Sequence, residues 1–314
     1  MATPFIDLIK QKADNLDAIP DKFLTGVKRS EKQILDGVLD LISKMELNKN
    51  GTFKASVKNI EIASQVNEQI KRVMLQSEYA TALTEFANGF NLQANLTQTY
   101  FLKALQVDVP AIAKTLVETA KRNAVDLLIN RANDSQFLSP LRDIIEQSVV
   151  NNSTYAETLK SVREFITGSD QFDSRLMSYS RQVALDTFSI ADASVVATYS
   201  NEYEFEWFQY VGGTMKTTRP FCLERDGNYY HRKEIEAWGD GKKTTGLALP
   251  SGGEWGGRID GTSASTIFSY RGGFGCRHLI MPVSVFSVSR EVIVRNIEQG
   301  FYEPTETVRE EFSL

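Results

Sequence analysis

Cysteine and histidine are nearly absent from this chain: 314 residues hold two of each, Cys222, Cys276, His231 and His278. That is too few for a disulfide framework, and it fits a reducing compartment where thiols stay free or bind metal. No run of about eighteen apolar residues occurs, so no membrane span is expected. The start, Met1 to Asp7, lacks a basic stretch followed by an apolar one, and a secretory signal is not expected. No fixed-period repeat points to a solenoid. Phosphate-loop glycine patterns, His-Glu-x-x-His and Ser-His-Asp arrangements are also missing, which removes the commonest routes to an enzyme. The net charge of −5 gives no global nucleic-acid footprint.

Glycine is scarce over the first two hundred residues, and helical periodicity fills the space. Ile34, Leu35, Val38, Leu41, Ile42 and Met45 form one apolar face, with Asp36, Asp40 and Lys44 off it. Ser56 predicts a helix running to about Leu75, and Ser77 caps another reaching toward Gln106. Pro110 suits a first-turn position ahead of the stripe Ile112, Leu116, Ala120, Ala124, Leu127 and Leu128. Further helices are expected from about Pro140 to Val150, Ser153 to Ile166 and Asp173 to Ser200. Asn48 to Gly51 and Thr167 to Asp170 are the expected breaks. An antiparallel bundle fits this pattern, and an extended helical arm lying along a partner is the sharper alternative.

Composition changes near Tyr203. Residues 205–290 carry fourteen of the 20 glycines and all three tryptophans, Trp207, Trp238 and Trp255. They also carry 11 Lys/Arg against 8 Asp/Glu, a small basic excess in an acidic chain. Glu204 to Val211 reads as a strand, Lys233 to Trp238 as a short helix, and Gly239 to Gly261 as a long loop. Thr266 to Tyr270 and His278 to Val283 read as short strands. The fold class is therefore α+β. A large all-helical N-terminal domain (1–202) precedes a small Gly/Trp-rich, loop-rich α+β or mostly β domain (203–290). A charged C-terminal tail follows (291–314), with one apolar-periodic piece at Val292, Val294 and Ile297.

The chemistry-bearing residues lie in the small domain. In an extended Cys276-Arg277-His278 the outer two side chains share a face and Arg277 takes the other. Cys222, His231, Cys276 and His278 match a closed zinc site in number and type, since zinc takes thiolate sulfur and imidazole nitrogen in a tetrahedron. Their spacing matches no standard finger. Two other outcomes stay open: cysteines packed as small apolar residues with no metal, or a Cys222–Cys276 disulfide. Two enzyme readings compete. Arg219, Ser263 and Ser265, and Glu291 follow the order of the Arg, Ser-Thr-Ser and Glu residues of one class of ADP-ribosyltransferases, although Ser289 stands where a second acidic or Gln partner belongs. A metal-dependent hydrolase would use Glu234, three residues after His231, as its base.

In order, Arg219-Pro220-Phe221-Cys222, Arg225-Asp226-Gly227, Trp238 and Gly272-Gly273-Phe274-Gly275-Cys276-Arg277-His278 with Pro282 make a pattern. It resembles the Mu F-like minor head proteins of tailed phages, the phage head morphogenesis family. The resemblance covers about 175–285, and a preceding helix with Arg181 and Asp186 sits where the family has its connecting helix. Many relatives carry a second cysteine where this chain has Arg225, and a cysteine where it has His278, so a mixed site would draw on His231. The resemblance implies a virion protein, assembled in the host cytoplasm and associated with the portal or capsid interior. It implies portal or major capsid protein as partner, contact with packaged DNA, several copies per particle, and no catalytic activity. Either no cofactor or one structural zinc is expected.

Overall fold

The computed structural model describes residues 4–109, 113–131, 134–169, 171–241 and 255–314. Pro110, Ile112, Asp170 and most of the Gly239 to Gly261 loop, singled out above, lie outside them. The described residues show a large helical part and one small antiparallel sheet, the α+β class expected. They gather into two compact units, neither of them a single stretch of chain. One comprises Ile19–Gly89 and Lys121–Ala184; the other comprises Met1–Ala18, Phe90–Ala120 and Leu185–Leu314.

The first unit is helical. It contains most of α1 (Pro4–Ser43), α2 (Val57–Ser64), α3 (Val66–Gln76), the start of α4 (Glu78–Ala104), the end of α5 (Ala113–Asp126), α6 (Ser139–Val150) and α7 (Tyr155–Thr167). The face read from the sequence is the buried one: Ile34, Val38, Leu41, Ile42 and Met45 are all in the core. Phe23 stacks on Phe86 with ring centroids 5.1 Å apart, and an added Cβ at Gly26 would come within 2.3 Å of Ala82 Cβ. That glycine lets α1 and α4 approach closely. Ser56 caps α2 as expected, accepting from Asn59 N–H. The helix expected to run to Leu75 is interrupted at Gln65 and continues as α3. At α7 the cap is Thr154, in a reciprocal box with Glu157, one residue beyond the Ser153 expected. Gly51 and Gly168 supply positive φ at the two expected breaks, 79° and 76°.

The second unit holds the later turns of α4, the end of α8 (Arg175–Glu202) and the sheet. Strand β1 (Trp207–Val211) is central, paired antiparallel with β2 (Tyr229–His231) and β3 (Leu279–Val283). Alternation along β1 splits its faces. Phe208 and Tyr210 enter a core with Phe221, Cys222, Tyr230, Trp238, Trp255, Phe268 and Cys276, whereas Trp207 joins Val288, Ile293, Tyr302 and Val308 on the other side. Three short helices serve the first face: α9 (Pro220–Leu223), α10 (Arg232–Gly239) and α11 (Ile267–Tyr270). The stretch read as a strand at Thr266 to Tyr270 is the helical turn α11, because Ser263 and Thr266 close a turn ahead of it. Beyond 290 the chain forms α12 (Arg290–Glu298) and α13 (Glu306–Glu311), whose Ile293 and Val308 are buried in the Trp207 cluster.

A buried ion pair lies inside this second unit. Lys12 Nζ pairs with Asp192 and donates to Thr97 Oγ1 at 2.6 Å, with both charged side chains almost fully enclosed. Burial depresses the Lys12 pKa; Asp192 opposes that shift and the Arg271 charge adds to it. Removing one partner of such a pair strands the other charge, at about 3–5 kcal/mol. Asp192→Ala should therefore cost about that much in urea unfolding. The double replacement Lys12→Met with Asp192→Leu should recover most of it, and equal losses from the two variants would disprove the pairing argument.

Candidate functional site

Two turns of the small sheet domain converge on one point. The first is α9. Arg219 is extended at its N-cap and Pro220 starts the helix with φ already set, which sends Phe221 and Cys222 inward. The second is the segment leaving α11 through Arg271 at φ 50° and Gly273 at φ 98°. A Cβ at Gly273 would lie 1.8 Å from the Gly257 carbonyl oxygen, so only glycine fits there.

Cys222 Sγ and Cys276 Sγ meet 4.0 Å apart where the turns touch. Tyr210 donates its hydroxyl to Cys222 Sγ at 3.3 Å and lies 3.7 Å from Cys276 Sγ. His278 stacks on the Tyr210 ring at 5.1 Å. The hydrogen bond from Cys222 lowers the Cys276 pKa well below its usual value, aided by His278 and by Arg271; sharing that proton and burial raise Cys222. Arg271 donates to the His278 carbonyl and to Ser189 on α8. Ser189 Oγ reaches the Cys276 carbonyl at 2.7 Å, and Asp186 accepts from Gly275 N–H at 2.7 Å. Arg219 caps the carbonyls of Gly272 and Phe274, and Trp255 Nε1 also donates to Gly272 O, at 3.0 Å.

Three of the four expected ligands come together. The sulfurs of Cys222 and Cys276 and a ring nitrogen of His278 lie within 4.8 Å of one another, all buried. Two thiolates bound to zinc at about 2.3 Å span about 3.8 Å across a tetrahedron, close to the observed sulfur separation of 4.0 Å. Both thiols are free. The donor types and spacing therefore suit a zinc-like ion. His231 is elsewhere. It pairs in register with Trp207, three residues from Tyr210 along β1, which is about 10 Å and the opposite face. Its ring packs on Trp207 and Tyr302 at 5.2 and 5.3 Å, and its Nδ1 accepts from Lys233 N–H, capping α10.

The residues of the two enzyme readings each have a local role. Arg219 is used on backbone carbonyls as above. Ser263 and Ser265 hydrogen-bond each other at 3.0 Å in the turn before α11, and Glu291 is exposed in the first turn of α12. Glu234 is buried against Arg295, 3.1 Å away. A cavity of about 290 Å³ adjoins the sulfur pair and includes Arg219, Arg277, Thr217 and Thr218 in its wall. A larger one, about 610 Å³, is walled by Ile9, Tyr100, Leu105, Val211 and Val283 and touches none of the four Cys and His residues.

Several supporting residues were not readable beforehand. Tyr210 appeared only as an alternating strand position, and Ser189 carried no signal within its helix. Comparison with protein-family models, with curated proteins and with solved structures finds no match.

Two predictions come from this geometry. A Cβ at position 272 would stand 2.3 Å from Cys222 Sγ and 3.0 Å from Cys276 Sγ. Gly272→Ala should therefore lower unfolding stability by about 1–3 kcal/mol through overpacking; an unchanged urea midpoint would contradict the close approach. Burial first, then the charges of Lys233 and Arg232, push the His231 imidazole down from 6.5 to about 4. Between those values the unfolded chain binds a proton that the folded chain refuses, so stability is lost as pH falls through that window. His231→Asn keeps a capping side chain and should flatten the drop in urea midpoint between pH 7 and pH 4. Equal drops in variant and parent would refute the assignment.

Proposed function

We propose that this chain is a minor head protein of a tailed phage. It acts at the portal or capsid interior as a structural component that assists head morphogenesis, DNA packaging or delivery. Its contacts are the portal or major capsid protein, and packaged DNA is a further one. The observation that carries the reading is the use made of the motif residues. Arg219 ties α9 to the carbonyls of Gly272 and Phe274, and Cys222 meets Cys276. Arg225 lies over the rings of Phe221 and Trp238, at 3.8 and 4.7 Å. Asp226 accepts from Gly212 N–H and approaches His278.

The two segments that carry the family resemblance, about fifty residues apart in sequence, thus close on each other and hold one small domain together. An active site instead needs acid, base or nucleophile turned toward a substrate with its partners in reach. Residues consumed in internal contacts favour a rigid module for protein–protein contact. Among the described residues no helix is long and apolar enough to cross a membrane.

The test is to image purified heads by electron microscopy and place this chain in the density. Density at the portal or inner shell is expected, together with no NAD turnover by the pure protein. Heads lacking the chain would sink the proposal. So would NAD hydrolysis that Arg219→Ala and Glu291→Ala each abolish while the fold is retained.

A further inference from the structure

We infer that Cys222, Cys276 and His278 form a three-donor site for a soft divalent cation such as zinc, with the fourth position open to the cavity beside Arg219 and Arg277. This goes beyond the head-protein reading and does not depend on it. Metal binding without incorporation into heads, or the reverse, separates the two.

The donor set selects the ion. Two sulfurs and an imidazole suit zinc and its soft relatives, whereas magnesium and calcium need oxygen ligands. Their mutual distances, all within 4.8 Å, suit one centre. A second observation points the same way: His278 Nε2 is buried without a hydrogen-bond partner. The nearest acid to it is Asp226, whose Oδ1 is 3.6 Å away and is itself anchored by Gly212 N–H at 3.0 Å. Metal-bound histidines commonly present their second nitrogen to such a carboxylate, which fixes ring orientation. Asp226 is a positioning residue on this account.

The fourth side is what distinguishes this site from a closed one. A structural zinc site has four protein ligands, while an exchangeable site has three and an open position. His231 occupies the opposite face of the sheet, held by Trp207, Tyr302 and its cap on α10. Residues of all three donors line a cavity of about 290 Å³, room for several waters. Arg219, Arg277 and the hydroxyls of Thr217 and Thr218 share that wall, so its chemistry suits water or a small anion.

The experiment uses the full chain, reduced and titrated with cobalt(II), read by metal content and visible absorption. Wild type and His231→Ala should each bind one equivalent, with sulfur-to-metal absorption. Thiocyanate should shift the visible bands of both. Asp226→Asn should weaken binding by about 10–100-fold, and Cys276→Ser should abolish it. Because Cys276→Ser also alters the core, the His231→Ala and thiocyanate arms decide. Loss of metal from a folded His231→Ala, or bands that thiocyanate does not move, would overturn the open three-donor site. A wild type that binds no cobalt would overturn the site altogether.

Discussion

The close approach of two sulfur atoms over a residue with no side chain constrains the small domain more than any other contact. Cys222 and Cys276 lie 4.0 Å apart, and the Cα of residue 272 fills the space beside them so tightly that a Cβ would overlap a sulfur. The remaining contacts reinforce that closure. Arg219 and Trp255 both reach across to the 272–274 backbone, and Asp186 and Ser189 hold the following residues from α8. Backbone groups that a loop would otherwise leave unpaired are satisfied this way, which a buried irregular segment requires. A loop-rich domain with a sheet of three short strands gains rigidity from these cross-links rather than from its ladder.

Charge placement follows from the same closure. Lys12 and Arg271 are cations with almost no solvent exposure, and Asp192 is the anion paired with Lys12. Arg271 donates to the His278 carbonyl and to the carbonyl and hydroxyl of Ser189. The hydrogen bond from Cys222 first, with the Arg271 charge among the smaller causes, favours the ionised form of Cys276. The strained φ of 50° at Arg271 is the conformation that delivers its guanidinium to this place.

The fold was legible where one period ruled. Buried positions in α1 follow the apolar spacing because a long helix must bury one face, and Ser56 and Gly168 mark helix ends by their own chemistry. The short elements were less readable. Thr266 to Tyr270 has strand-like composition, yet the Ser and Thr hydroxyls before it favour a turn and it coils into α11. At the site, residue type named four candidates, and the structure brings three of them together. Cys222, Cys276 and His278 converge, whereas His231 is excluded by strand register. A shift of three positions along β1 changes both distance and face, and register cannot be read from residue counts between distant segments.

On the proposed Mu F-like reading, the two departures from the pattern this chain resembles have different physical consequences. His278 in place of cysteine keeps a donor: imidazole binds the same ions as thiolate, and this one stacks on Tyr210 with Asp226 behind it. Arg225 in place of cysteine does not. Its guanidinium lies over Phe221 and Trp238 and donates to the Phe221 carbonyl at 2.8 Å, fully buried. A buried cation on aromatic faces is attracted by about 2 kcal/mol when desolvated, so that position contributes packing where a fourth thiolate would contribute a metal bond. Phe221 is sandwiched as a result, with Arg225 on it and Trp255 stacked at 4.2 Å. The stack holds α9 against Trp238 and Trp255. Position 225 therefore contributes to the packing of α9, and the three-donor site proposed above would keep one coordination direction free.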